Sequence, residues 1–174
     1  MPYFGLGLHI GDTEADARVG PPSPGSFSNV RSVVLDGTND DLFLDSGISL
    51  SGAFTISLWF KHTSGSYPYL IDSYVFLYGA PAGFKVLVRG AGTITSSAGA
   101  YSADTWFNLV FTRDGSNNVA VYIDGTSVGT STFAGTPSIQ QFGRNGSFDP
   151  MGGNIDECAI CTSYLSDSDR HGIR

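Results

Sequence analysis

Apolar and polar residues alternate with a period of two along nearly every regular stretch of this chain. That pattern restricts it to half-buried β-strands. In FTISLWFK, Phe54, Ile56, Leu58 and Phe60 share one face, and Thr55, Ser57, Trp59 and Lys61 share the other. Phe107, Leu109 and Phe111 alternate with Asn108, Val110 and Thr112, while Val119, Val121 and Ile123 alternate with Ala120 and Tyr122. Phe84, Val86 and Val88 form one face of FKVLVR. Turn signals separate these runs at short intervals: Asp36-Gly37, Gly79 to Gly83, Asp114-Gly115, Asp124-Gly125 and Asn145-Gly146. Many short strands with such turns pack as a β-sandwich, because each one-sided strand needs a second sheet to cover its apolar face.

The 174 residues fit one domain with a good-sized core, and 14% charged residues against 41% hydrophobic describe a turn-rich globular chain. Nine Lys and Arg against sixteen Asp and Glu give a net charge of −7, with no basic cluster to neutralise a phosphate backbone or an anionic membrane. No stretch approaches the roughly 20 apolar residues that span a bilayer. The opening MPYFGLGLHIG lacks the basic start and small-residue cleavage pattern of a secretory signal, so the expectation is a protein made without a leader, or one whose leader precedes this numbering.

Residues 1–29 read as an extended arm and residues 30–174 as the domain. Phe4, Leu6, Leu8 and Ile10 alternate with Tyr3, Gly5, Gly7 and His9, a strand with one apolar face that needs a partner. The prolines of GPPSPGSFSN favour an extended connector behind it. The single helical signal is LSDSDRHGI, where Ser166 and Asp169 have capping-box spacing for one or two turns. Cys158 and Cys161 have CxxC spacing, but in a strand residues three apart face opposite ways, about 10 Å apart. With no second pair and with His9, His62 and His171 scattered, the cysteines read as structural thiols.

Three blocks in order, SVVLDGTNDDLFLD with GAFTISLWFK, then DTWFNLVFTRDGSNNVAVYIDGTSVG, then GGNIDECAICTSYLSDSD, give the chain a resemblance to a known family. From about residue 31 to 170 it resembles the laminin-G-like jelly-roll domains related to pentraxins and concanavalin-A-type lectins. The resemblance implies an all-β, two-sheet antiparallel jelly-roll sandwich with its first and last strands side by side. It implies relatives that bind glycans, proteins or lipids, often with calcium, some of them on bacteriophage particles.

Glucanases of this fold use Glu-x-Asp-x-Glu on one strand face, where two carboxylates act as nucleophile and acid. In NIDEC the corresponding positions are Asn154, Asp156 and Cys158, with Glu157 on the other face, so no catalytic residue is assigned. Nor does any nucleophile motif appear. Calcium is the one cofactor the resemblance implies. Asp72, Asn145 and Asp149 are its candidate ligands, although the double carboxylate cluster of pentraxin relatives is absent, with Gln140, Gln141 and Arg144 standing nearby instead. Ordinary turn formation is the alternative role for Asn145 and Asp149. Asp36 and Asp156, expected to be neighbours, read as fixing turns and buried hydrogen bonds.

Sugar sites pair exposed aromatic rings with a few placed polar groups, and Tyr67, Tyr69, Tyr74, Phe148 and Arg144 are the candidates here. The alternative is that the tyrosines cover the sandwich ends. Two functions follow. One is a displayed structural component of a virion, oligomeric, anchored to other subunits by Phe4, Leu6, Leu8 and Ile10, and able to bind host glycans. The other is an independent lectin-like adhesion module, secreted or on a cell surface.

Overall fold

The computed structural model describes residues 32–64, 69–72, 75–78, 85–88, 102–144 and 150–166. The arm with Phe4, Leu6, Leu8 and Ile10, and most of the expected terminal helix, lie outside them. The described residues form strands β1 (Val33–Asp36), β2 (Leu42–Ser49), β3 (Phe54–Ser64), β4 (Tyr69–Ile71), β5 (Val75–Tyr78) and β6 (Lys85–Val88). They continue with β7 (Trp106–Arg113), β8 (Asn118–Ile123), β9 (Thr126–Thr132), β10 (Ser138–Phe142) and β11 (Gly152–Cys161), and contain no helix.

Two antiparallel sheets result, one ordered β1-β11-β3-β7-β8-β9 and the other β2-β10-β4-β5-β6. β1 lies beside β11, so the first and last of the described strands are neighbours, as the jelly-roll resemblance implies. Between the sheets sit the alternating apolar residues expected from the sequence: Phe54, Ile56, Leu58 and Phe60 of β3, and Leu109 and Phe111 of β7, all fully buried. They meet Leu70, Ile71, Ile139 and Phe142 from the five-stranded sheet. Phe54 and Phe111 pack edge to face, with ring centroids 5.2 Å apart.

Turn carboxylates hold the strand ends. At Asp124-Gly125 both residues have positive φ (49° and 77°), the conformation that matches the twist of a two-residue hairpin. The Asp114 carboxylate accepts from the Ser116 amide (2.8 Å), the Asn118 amide (2.9 Å) and Asn118 Nδ2 (2.8 Å) across the β7–β8 turn. Those bonds, the Asn118 side chain first, hold its pKa below the usual carboxylate value. The Asp36 carboxylate also closes its own turn, accepting from the Thr38 amide at 2.7 Å.

One end of the core is closed by a charged residue. Arg113 continues the inward phase of Phe107, Leu109 and Phe111 and is 1% exposed. Its Nε donates to Gly52 O (2.8 Å) and its Nη2 to Leu50 O (2.7 Å), while Nη1 reaches Phe133 O (3.4 Å) and Gly135 O. Its guanidinium carbon lies 4.9 Å from the Phe54 ring centroid.

Three expectations are corrected. Strict alternation along NIDEC fails because Asp156 pairs with Trp59 whereas Ala159, not Cys158, pairs with Ser57. A bulge there places Glu157 at φ 47°, exposed, and turns Cys158 against the core, away from the face of Asn154 and Asp156. Asp36 and Asp156 are not neighbours: Asp36 pairs with Gly152 and Val33 with Ile155, so Asp156 lies at the far end of the β1–β11 ladder. Tyr69 is 3% exposed, a buried residue of β4 and not a rim aromatic. A three-residue strand covered on both faces has no alternation to reveal this.

Both cysteines are free thiols. Burial, with the nearby Asp156 carboxylate, pushes the Cys158 thiol up to about 12, so it stays protonated and inert at neutral pH.

Candidate ligand-binding site

The polar groups best placed to meet a ligand gather where β2 begins and β4 and β10 end. Phe142 pairs with Leu42 and is buried in the core, so the adjoining pair, Gln141 and Phe43, faces outward from the five-stranded sheet. Phe43 is 58% exposed, whereas Gln141 beside it is 6% exposed. Gln141 Nε2 donates to Arg144 O at 3.0 Å, which fixes the amide in one orientation.

The register with β2 shifts between Ile139 and Gln141, where the β2 residues Leu44 to Gly47 bulge opposite Gln140 alone and leave the Gln140 amide to another acceptor. Asp72 meets it: its Oδ2 accepts from Gln140 N at 3.1 Å, and its own amide donates to Gln141 O at 2.9 Å. Asp72 adopts φ 37°, the left-handed turn that Asp tolerates better than most residues. Arg144 Nη1 donates to Asn39 O at 2.7 Å, tying the β1–β2 turn to the end of β10.

Asp72, Gln140, Gln141, Arg144 and Asn39 thus form one hydrogen-bonded chain beside an exposed phenyl ring. An aromatic face flanked by a fixed amide, a carboxylate and a guanidinium is suited to a ligand with an apolar face and several hydroxyls.

Of the residues expected from the sequence, Asp72 and Arg144 fall at this site, and Tyr69 is buried. Tyr67, Tyr74, Asn145, Phe148 and Asp149 lie outside the described residues. Among the described residues no group of three His, Cys, Asp or Glu side chains could hold a metal ion. Asp72 is the one expected calcium ligand on view, and calcium takes six to eight oxygens. Sequence reasoning missed Phe43 and Gln141. Phe43 stands out of phase with Leu42 and Leu44 in LFLD, which marks it as a large apolar residue on the polar face.

Comparison with known proteins places the fold. The profile of the Laminin_G_3 family, described as Concanavalin A-like lectin/glucanases superfamily, matches residues 36–169. Domain 4 of AbnA, an extracellular arabinanase from Geobacillus stearothermophilus solved in complex with arabinotriose, is 23% identical with a TM-score of 0.57. The match covers 82% of this chain and 75% of that one. A putative carbohydrate binding protein from Bacteroides ovatus has 13% identity and a TM-score of 0.56, over 82% of this chain and 47% of that one. The Trypanosoma rangeli sialidase has 17% identity and a TM-score of 0.55, over 68% of this chain and 22% of the enzyme. At these identities the likeness is one of fold, and for the last two this chain spans less than half of the other protein. No curated protein matches the sequence. The matched profile runs over most of the sandwich, and the chain belongs to the concanavalin A-like lectin/glucanases superfamily.

Proposed function

We propose that the chain is a non-catalytic carbohydrate-binding module whose ligand lies against Phe43, Gln141, Asp72 and Arg144. The observation that carries this reading is Phe43, an exposed ring paired across strands with a nearly buried amide that Arg144 holds in place. Two similar structures support it, an arabinanase domain holding arabinotriose and a putative carbohydrate binding protein.

The non-catalytic part rests on how the carboxylates are used. Asp36, Asp40, Asp72, Asp114, Asp124 and Asp156 each accept a backbone amide hydrogen, as groups that fix turns and bulges do. Hydrolysis with retention needs two carboxyls facing one bond from about 5 Å apart. Asp72 on one sheet and Asp156 on the other do not share a face. The test is a calorimetric titration with neutral oligosaccharides, arabinotriose among them. Phe43→Ala is expected to weaken binding about tenfold, roughly 1.4 kcal/mol, with the melting temperature unchanged because the ring is exposed.

Display on a virion through residues 1–29 is the second reading, favoured by the one-sided row Phe4, Leu6, Leu8 and Ile10. Deleting residues 2–11 is expected to abolish self-association in sedimentation while leaving the melting temperature within a few degrees. Unfolding of the truncated chain would instead assign the row to the domain's own core.

A further inference from the structure

The opposite side of the sandwich carries a second aromatic surface. The chain has two tryptophans, and both belong to the outer face of the six-stranded sheet. Trp59 alternates with the buried Leu58 and Phe60 on β3, and Trp106 with the inward-packed Phe107 on β7. Trp59 pairs with Asn108 and Lys61 with Trp106, so the two indoles are diagonal neighbours on adjacent strands, with backbones about 7–8 Å apart. Trp106 is 37% exposed and Trp59 is partly exposed.

Around them stand polar groups in fixed orientations. Asp156 pairs with Trp59, and Asn154 with Lys61, from β11. Asn154 Nδ2 donates to Ser32 Oγ at 3.0 Å, and Asn108 Nδ2 to Ser57 Oγ at 3.3 Å. Lys61 Nζ lies 5.9 Å from the Trp106 ring centroid and 3.6 Å from the Asp104 carboxylate.

We infer that this face is a second glycan site, for a neutral sugar chain stacked on Trp106 and Trp59. The inference rests on the carbohydrate-binding reading above and adds a site on the other sheet. Its chemistry selects the occupant. Indole faces take the C–H face of a sugar, and the Asn154 amide, Lys61 and Asp156 meet hydroxyls, while Asn108, 3% exposed, only supports Trp59 from beneath. The one cation of the group is already balanced by Asp104, and Asp156 adds a negative charge, which disfavours an anionic ligand. An apolar protein surface fits poorly, since docking it would strip water from Asn154, Asp156 and Lys61 and offer no hydrogen bonds in return.

The two tryptophans make the test selective, because their emission reports on this face alone. Neutral pentose and hexose oligosaccharides are titrated into the full chain, its Phe43→Ala variant and its Trp106→Ala variant, by calorimetry and by tryptophan fluorescence. The expected result is two equivalents bound per chain, one of them weakened about tenfold in Phe43→Ala and the other in Trp106→Ala, with the emission change at its wild-type midpoint in Phe43→Ala. Trp59→Phe, which keeps an aromatic ring, guards against a folding artefact and is expected to weaken the second site while leaving the melting curve in place. Calorimetric binding with unchanged tryptophan emission and one equivalent in the full chain would overturn the second site and leave the module reading standing. No binding of any oligosaccharide would overturn both. An emission change that follows protein concentration without sugar would assign the face to a second copy of the chain and overturn the inference.

Discussion

Arg113→Met is expected to lower the unfolding free energy by about 3–5 kcal/mol, on the scale of losing a charged group at the centre of a buried network. Methionine nearly matches the volume of the arginine stem, so the loss falls on hydrogen bonding more than on packing. The guanidinium donates to the carbonyls of Leu50, Gly52, Phe133 and Gly135, which belong to two segments joining different strands. Each carbonyl left buried without a donor costs about 1–3 kcal/mol, reduced where water can enter. Removing the arginine therefore frees both segments at once, and with them the end of the core where Phe54 and Phe133 flank it. For a chain of this size the fall in melting temperature is on the order of 10 °C. Arg113→Lys keeps the charge but offers a point donor in place of a planar fork, so partial recovery is expected. Urea unfolding that shows less than about 1 kcal/mol lost in Arg113→Met would mean the network contributes little.

Gly153→Ala is expected to be as damaging, through the backbone. Gly153 lies in β11 opposite His62 with φ 143°, a region essentially restricted to glycine. A Cβ built there would lie 2.0 Å from Lys61 O and 3.1 Å from the His62 Cα. Both are backbone atoms, so no side chain can swing aside, and β3 and β11 would have to separate at the bulge where Gly152 pairs with Ser64. Strain of this kind with local overpacking costs roughly 3 kcal/mol or more. Soluble Gly153→Ala protein that melts within 2–3 °C of the wild type, a shift of about 1 kcal/mol, would contradict the tight approach of these strands.

The fold was legible because its cause is local. Phe54 to Phe60, Phe107 to Phe111 and Val119 to Ile123 alternate in the sequence and the apolar phase packs in the core, although Thr55, Ser57, Asn108 and Thr112 on the other phase are buried as well. Asp-Gly pairs mark hairpins because their backbone chemistry suits positive φ. Departures from alternation were not legible. The bulge at Glu157 and Cys158 depends on pairing with β3, a strand about a hundred residues away, and it reverses the side of Cys158. Arg113 occupies an inward position by phase, but its charge hid it. The carbonyls of Leu50, Gly52, Phe133 and Gly135, brought in from two other strand connections, make its burial tolerable.

The candidate site was half visible. Asp72 and Arg144 were marked as polar groups in turns, but the partners that fix them, Gln140 N–H and Asn39 O, come from pairing that no single segment encodes. Phe43, Trp59 and Trp106 were marked more plainly than they were read. Each is a large aromatic on the polar phase of its strand, a position where burial gives no reason for it.

The most direct test of the module reading combines binding with product analysis. The full chain is incubated with neutral oligosaccharides; heat of binding is measured in wild type and Phe43→Ala, and the sugars are then separated by size. The expected result is saturable binding, weakened about tenfold by Phe43→Ala, with the oligosaccharides recovered intact. Shortened products that disappear with Asp156→Ala, or the absence of any binding heat, would contradict a carbohydrate-binding module without catalysis.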